Sequence, residues 1–117
     1  IWVTRGGGTF HNIWSANPYA RSGFAVSDTT TPGVVYELSA EHHLFGEITL
    51  DRVENWEFHG PQTEEEVSSS AEALALAITD SKQITIANYR AYRVTRSYAP
   101  FPAAIRVFGS SGITLEM

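Results

Sequence analysis

The sequence predicts an all-β fold, a right-handed parallel β-helix of about three to four coils. Three observations lead there. The segments Leu50 to Phe58 (LDRVENWEF), Ile78 to Ile86 (ITDSKQITI) and Val107 to Leu115 (VFGSSGITL) share one pattern of apolar residue, polar turn and apolar–polar–apolar run, and they start 28 and 29 residues apart. A run with alternating apolar residues precedes each turn: Ile48/Leu50, Leu74/Leu76/Ile78 and Ile105/Val107. Alternation by two marks a strand with one buried face. Finally, the Asn-Gly and Asp-Gly turns favoured by hairpins are absent, which disfavours the rival β-sandwich.

Taken in order, RGGGTFHNIW opens with Gly6, Gly7 and Gly8, followed by apolar Phe10, Ile13 and Trp14. No helix signal follows the glycines, so they read as a tight coil-to-coil turn and not as a dinucleotide fingerprint. SANPYARSG and SDTTTPG are loop-like, with Pro18, Pro32 and Gly33 as breakers. VVYELSAEHH reads as a strand, with Tyr36, Leu38 and Ala40 on the buried face and Glu37, Ser39, Glu41 and His43 on the other. EEEVSSSAEALALAI alternates by two at Leu74, Leu76 and Ile78, and its serines weaken a helix. Stacking of the coils predicts interior columns of Trp56, Ile84 and Ile113, and of Phe58, Ile86 and Leu115. YRAYRVTRSYAPFP, residues 89–102, reads as a long loop.

At 117 residues the chain is one domain with a modest core, and its 43% hydrophobic and 18% charged residues are those of a globular protein. It begins at Ile1 and stops at Met117 just after a strand-like GITLE. Uncapped solenoid coils need neighbours. The expectation is therefore a partial domain over 1–117, with the remainder of its own chain as its missing partner. The net charge of −5 argues against a nucleic-acid partner, and no apolar stretch is long enough to span a bilayer. Without Cys there are no disulfides or thiolate metal sites.

Glu41 and Glu64 are the candidate chemical groups. Paired carboxylates are what glycoside hydrolysis needs, one to protonate the leaving oxygen and one to activate water. Glu64 stands in GPQTEEEV beside Glu65 and Glu66. His42 and His43 are neighbours on a strand and point to opposite faces, so they do not chelate one ion; neither metal nor cofactor is expected. Tyr92, Arg93, Arg96 and Tyr98 suit glycan contact, since aromatic faces stack on sugars and guanidinium forks bond hydroxyls and carboxylates. A 28-residue coil places Tyr92 one strand above Glu64 with Arg93 beside it, where an arginine would lower the pKa of Glu64.

The ordered motifs GGGTFHNIW, PGVVYELSAEHH and ITLDRVENWEFHGPQTE resemble the glycoside hydrolase family 55 exo-β-1,3-glucanases. The resemblance covers roughly residues 6 to 64 and ends where QTE continues as EEVSSS in place of that family's aromatic run. It implies a two-lobed, secreted or periplasmic β-helix enzyme that hydrolyses a polysaccharide by an inverting mechanism. In it Glu64 matches the general acid and Glu41 the acid that places water. Gln62, Thr63, His42 and His43 would then line the cleft. A non-catalytic glycan-binding β-helix is the alternative. A polysaccharide lyase is another, with Glu64, Glu65 and Glu66 holding calcium and Arg93 as the base.

Overall fold

The computed structural model describes residues 1–17, 19–66, 73–94 and 103–117. Its strands are β1 (Trp2–Thr4), β2 (Gly8–Ala16), β3 (Ser22–Thr29), β4 (Gly33–Glu41), β5 (Gly46–His59), β6 (Gln62–Glu66), β7 (Leu74–Thr79), β8 (Lys82–Ala87), β9 (Arg90–Val94), β10 (Ile105–Phe108) and β11 (Ser111–Leu115). Every pairing between them is parallel. The chain is a parallel β-helix of about four coils, as its periodicity predicts.

Each coil has three faces. The first is built from β1, β3, the start of β5, β7 and β10. The second stacks the starts of β2 and β4, the end of β5, β8 and β11. The third stacks the ends of β2 and β4 with β6 and β9. The predicted columns hold in register: Leu50 pairs with Ile78 and Ile78 with Val107, while Trp56, Ile84 and Ile113 align, as do Phe58, Ile86 and Leu115, although Val107 and Leu115 on the last coil are exposed and not interior.

Between faces the chain turns on single residues with left-handed backbones. The first corner has two such columns. One is Arg5 (φ 54°), Asp28 (54°), Arg52 (56°), Asp80 (47°) and Gly109 (60°); the other is Asn55 (62°), Gln83 (52°) and Gly112 (64°). The second corner uses Asn12 (51°), Glu37 (57°), Gly60 (67°) and Asn88 (55°). One left-handed residue bends a strand sharply, and Asn, Asp and Gly tolerate it best. Across the first corner Arg52 Nε donates to Asp28 Oδ1 at 2.6 Å and its Nη1 lies 2.6 Å from Asp51 Oδ2.

These corners reset the alternation. Glu37 occupies one, so the phase shifts after it: Val35 and Leu38 are buried and Tyr36 is exposed, opposite to the expectation for Tyr36. Left-handed His42 (φ 67°) does the same at the end of β4 and turns His43 inward to 1% exposure, again reversing the expected face. Residues 90–94, expected in a loop, form β9.

The interior of the first two faces is apolar, with Phe24, Ile48, Leu50, Trp56, Phe58, Leu76, Ile78, Ile84 and Ile86 fully buried. Trp56 Nε1 donates to the Thr31 carbonyl at 3.0 Å and its ring lies against Gly33, where an added Cβ would sit 2.4 Å from it. The glycine turn is as tight as expected: a Cβ on Gly7 would meet the Pro32 carbonyl of the next coil at 2.1 Å.

Coil length varies mainly at the third corner. From the third face to the first, the in-register positions Glu41 and Asp51 are ten residues apart, Glu64 and Thr79 fifteen, and Tyr92 and Phe108 sixteen. From the second face to the third the step stays at six residues, from Phe10 to Ala16, Val35 to Glu41, Phe58 to Glu64 and Ile86 to Tyr92.

Candidate functional site

The third face brings Glu41 and Glu64 together. They are direct register partners, and Tyr92 follows on the next strand. Neighbouring strands lie about 4.8 Å apart, so Ala16, Glu41, Glu64 and Tyr92 form one outward column. A second outward column runs beside it through Trp14, Ser39, Gln62 and Arg90. Tyr92 is 46% exposed and Trp14 75%.

The two carboxylates lean in opposite directions. Ser39, two residues before Glu41, donates its hydroxyl to Glu41 Oε1 at 2.7 Å, and Gln62 Nε2 reaches that hydroxyl at 3.5 Å. Glu64 Oε1 lies 3.3 Å from Nε2 of His42, the residue just past Glu41. The His42 backbone N–H also donates to the Glu64 carbonyl at 3.0 Å. Glu41 is thus held back along its own strand by Ser39, while Glu64 is held by His42 just beyond the end of that strand.

The inward side of the same strands has a different chemistry. Thr63 is fully buried and shares a 2.8 Å hydrogen bond with the Tyr89 hydroxyl, so it faces the core and not a cleft. Burial raises the Tyr89 phenol above its ordinary range, partly offset by that bond and reinforced by the Glu65 and Glu47 charges. His43 is equally inaccessible. Its Nδ1 contacts Glu47 Oε2 at 2.5 Å, its backbone N–H donates to Glu47 Oε1 at 2.9 Å, and its Nε2 lies 3.2 Å from Ser15 Oγ. A carboxylate accepts only, so the Nδ1–H donates to Glu47, while the Ser15 hydroxyl lies between His43 Nε2 and the Gly23 carbonyl, 3.3 Å from the latter. The order Ser15–His43–Glu47 is that of a hydrolase relay, but its surroundings are close-packed. A Cβ on Gly23 would lie 2.8 Å from both His43 Cε1 and the Ala40 Cβ.

Glu65 also faces inward, 2% exposed, with Oε1 lacking a hydrogen-bond partner among the described residues. Burial pushes its carboxyl up to about 7, the Glu47 charge pushes the same way, and Arg93 opposes both. The register explains the last contribution, because Arg93 pairs with Glu65 and not with Glu64. The expectation that Arg93 acts on Glu64 is thereby corrected: consecutive strand residues face opposite sides. For the same reason Glu64 and Glu65 point apart and do not converge on one cation.

Arg96 and Tyr98 lie outside the described residues. Trp14, Arg90, Ser15 and Glu47 are the site-forming residues that sequence reasoning missed, and Glu65, expected as a calcium-holding acid in the lyase alternative, faces inward instead. The 28-residue step that led from Glu64 to Tyr92 leads equally from Gln62 to Arg90. Trp14 was obscured by the phase reset at Asn12. No protein-family model, no curated protein and no solved structure matches this chain.

Proposed function

We propose that the third face is the glycan-handling surface of a carbohydrate-active β-helix. In this reading Glu64 is the general acid and Glu41 the water-placing carboxylate in hydrolysis of β-1,3-glucan or a related polysaccharide. The observation that carries it is the outward, in-register Glu41–Glu64 pair with Tyr92 next on the ladder. Inverting hydrolysis separates its two carboxyls by roughly 6.5–9.5 Å, so that a water fits between acid and base. Ser39 on Glu41 and His42 on Glu64 anchor the two carboxyls separately, as distinct roles require. His42 would orient Glu64, and exposed Tyr92 offers a ring on which a sugar stacks. The test is Glu64→Gln in the protein, assayed on laminarin-type oligosaccharides. Loss of turnover by roughly two orders of magnitude is expected for removal of a general acid; undiminished turnover sinks the assignment.

A second reading, glycan binding without cleavage, is favoured by Glu65. The carboxyl pushed up to about 7, as an acid catalyst requires, is buried and out of reach of a glycosidic oxygen. Measurable binding with intact sugar recovered after long incubation would select this reading.

A further inference from the structure

The outward columns of the third face contain two residues that the paired acids do not explain. Trp14 stands 75% exposed beside Ser39 in its column, and an exposed indole ring offers an apolar face on which a sugar stacks. At the other end of the same column Arg90 is exposed and has no ion-pair partner among the described residues, in a chain with 13 acidic and 8 basic residues. Its backbone is fixed by a 3.0 Å hydrogen bond from its N–H to the Pro61 carbonyl, and its side chain is exposed.

We propose that this face takes an acidic oligosaccharide lying across the strands, parallel to the solenoid axis, with a sugar ring on Trp14 and a uronate carboxylate held by Arg90. The inference rests on reading the face as a glycan surface and specifies the ligand. From β2 to β9 is three strand spacings, about 14 Å, which calls for several linked sugars. The polarity follows from the charges. Glu41 and Glu64 occupy the middle strands, where they repel a carboxylate and suit hydroxyls, and a uronate is accommodated only in the Arg90 row. A guanidinium fork matches a carboxylate with two parallel hydrogen bonds, which a neutral sugar does not provide. Gln62, the register partner of Arg90, adds a neutral donor beside it.

The experiment is calorimetric titration of the full chain with a β-1,3-linked glucose tetrasaccharide in which one terminal unit is a glucuronate and, separately, with the neutral β-1,3-linked glucose tetrasaccharide. The uronate is expected to bind about tenfold more tightly, the gain of one charge-assisted contact. Arg90→Gln should erase that preference and Arg90→Lys should restore part of it. Trp14→Ala should weaken binding of both ligands about tenfold, as loss of one aromatic platform implies, while Trp14→Phe should weaken it less. A preference for the neutral sugar, an unchanged preference in Arg90→Gln, or no binding of either ligand overturns the proposal. The hydrolytic reading fails separately. Binding that depends on Arg90 without turnover removes hydrolysis and leaves this site, whereas Glu64-dependent turnover indifferent to Arg90 does the reverse.

Discussion

Glu64 and Glu65 are adjacent in sequence, carry the same carboxyl group, and experience opposite environments. Glu64 is on the outward side of β6, partly in water, against His42. Glu65 is inside the coil, near Glu47 and Arg93, with its carboxyl raised to about 7. The difference is one step of a two-residue period. It separates access from acidity: the exposed acid can meet a ligand, and the buried one holds the perturbed proton. The contrast extends to the whole interior. Beneath the first two faces lies a ladder of Trp, Phe, Ile and Leu. Beneath the end of the third lie His43, Glu47, Thr63, Glu65 and Tyr89.

The largest expected effect breaks the apolar side. Trp56→Ala removes a fully buried indole together with its bond to Thr31 and should destabilise the chain by about 3–5 kcal/mol. The denaturant midpoint measures it, and a loss below about 1 kcal/mol would mean that the site collapses without a cavity. Glu47→Ala comes next. It strands the His43 ring and backbone N–H in the interior and should lower stability by roughly 2–4 kcal/mol. If the polar interior were merely tolerated packing, the loss would be much smaller.

A third effect is a change of slope with pH. The folded pKa of Glu65 is raised from 4.5 to about 7, so the native state binds the proton more tightly than the unfolded chain does. Stability from this group is fully present below about pH 4.5 and is lost as pH rises to about 7. Glu65→Gln removes this contribution to the slope and should raise stability at neutral pH relative to the parent. Parallel stability-versus-pH curves for the two proteins would refute the inward assignment. The smallest effect belongs to the surface corner. Arg52→Ala removes exposed ion pairs to Asp28 and Asp51, and its slight effect should vanish in high salt. Asp28, which donation from Arg52 holds below its usual carboxylate range, should then titrate higher.

Much of this architecture was legible in the sequence. The spacing of Leu50, Ile78 and Val107 fixes the later coils because parallel stacking repeats apolar residues at the coil length. The Glu64–Tyr92 alignment follows from the same arithmetic. What escaped notice has a single physical origin. Alternation by two assumes an unbroken strand, and one left-handed residue inverts it without leaving a gap in the pattern. Glu37 did this to Tyr36, and His42 to His43. Glu is not a habitual left-handed residue in the way that Gly and Asn are, and His is only moderately enriched there. The buried relay escaped because Ser15 and His43 lie 28 residues apart and meet across the interior through side chains, which the register of strands does not specify.

The constant six-residue step at one corner and the variable step at the next divide the solenoid into a fixed gauge and a corner of variable length. Extra residues placed after the third face leave every ladder intact, and the entropic cost of a longer loop grows only slowly, about 0.6 kcal/mol per doubling. Glu41, Glu64 and Tyr92 stand at the mouth of that adjustable corner. Lengthening that corner therefore alters the rim beside the two acids while the stack that holds them in register stays untouched.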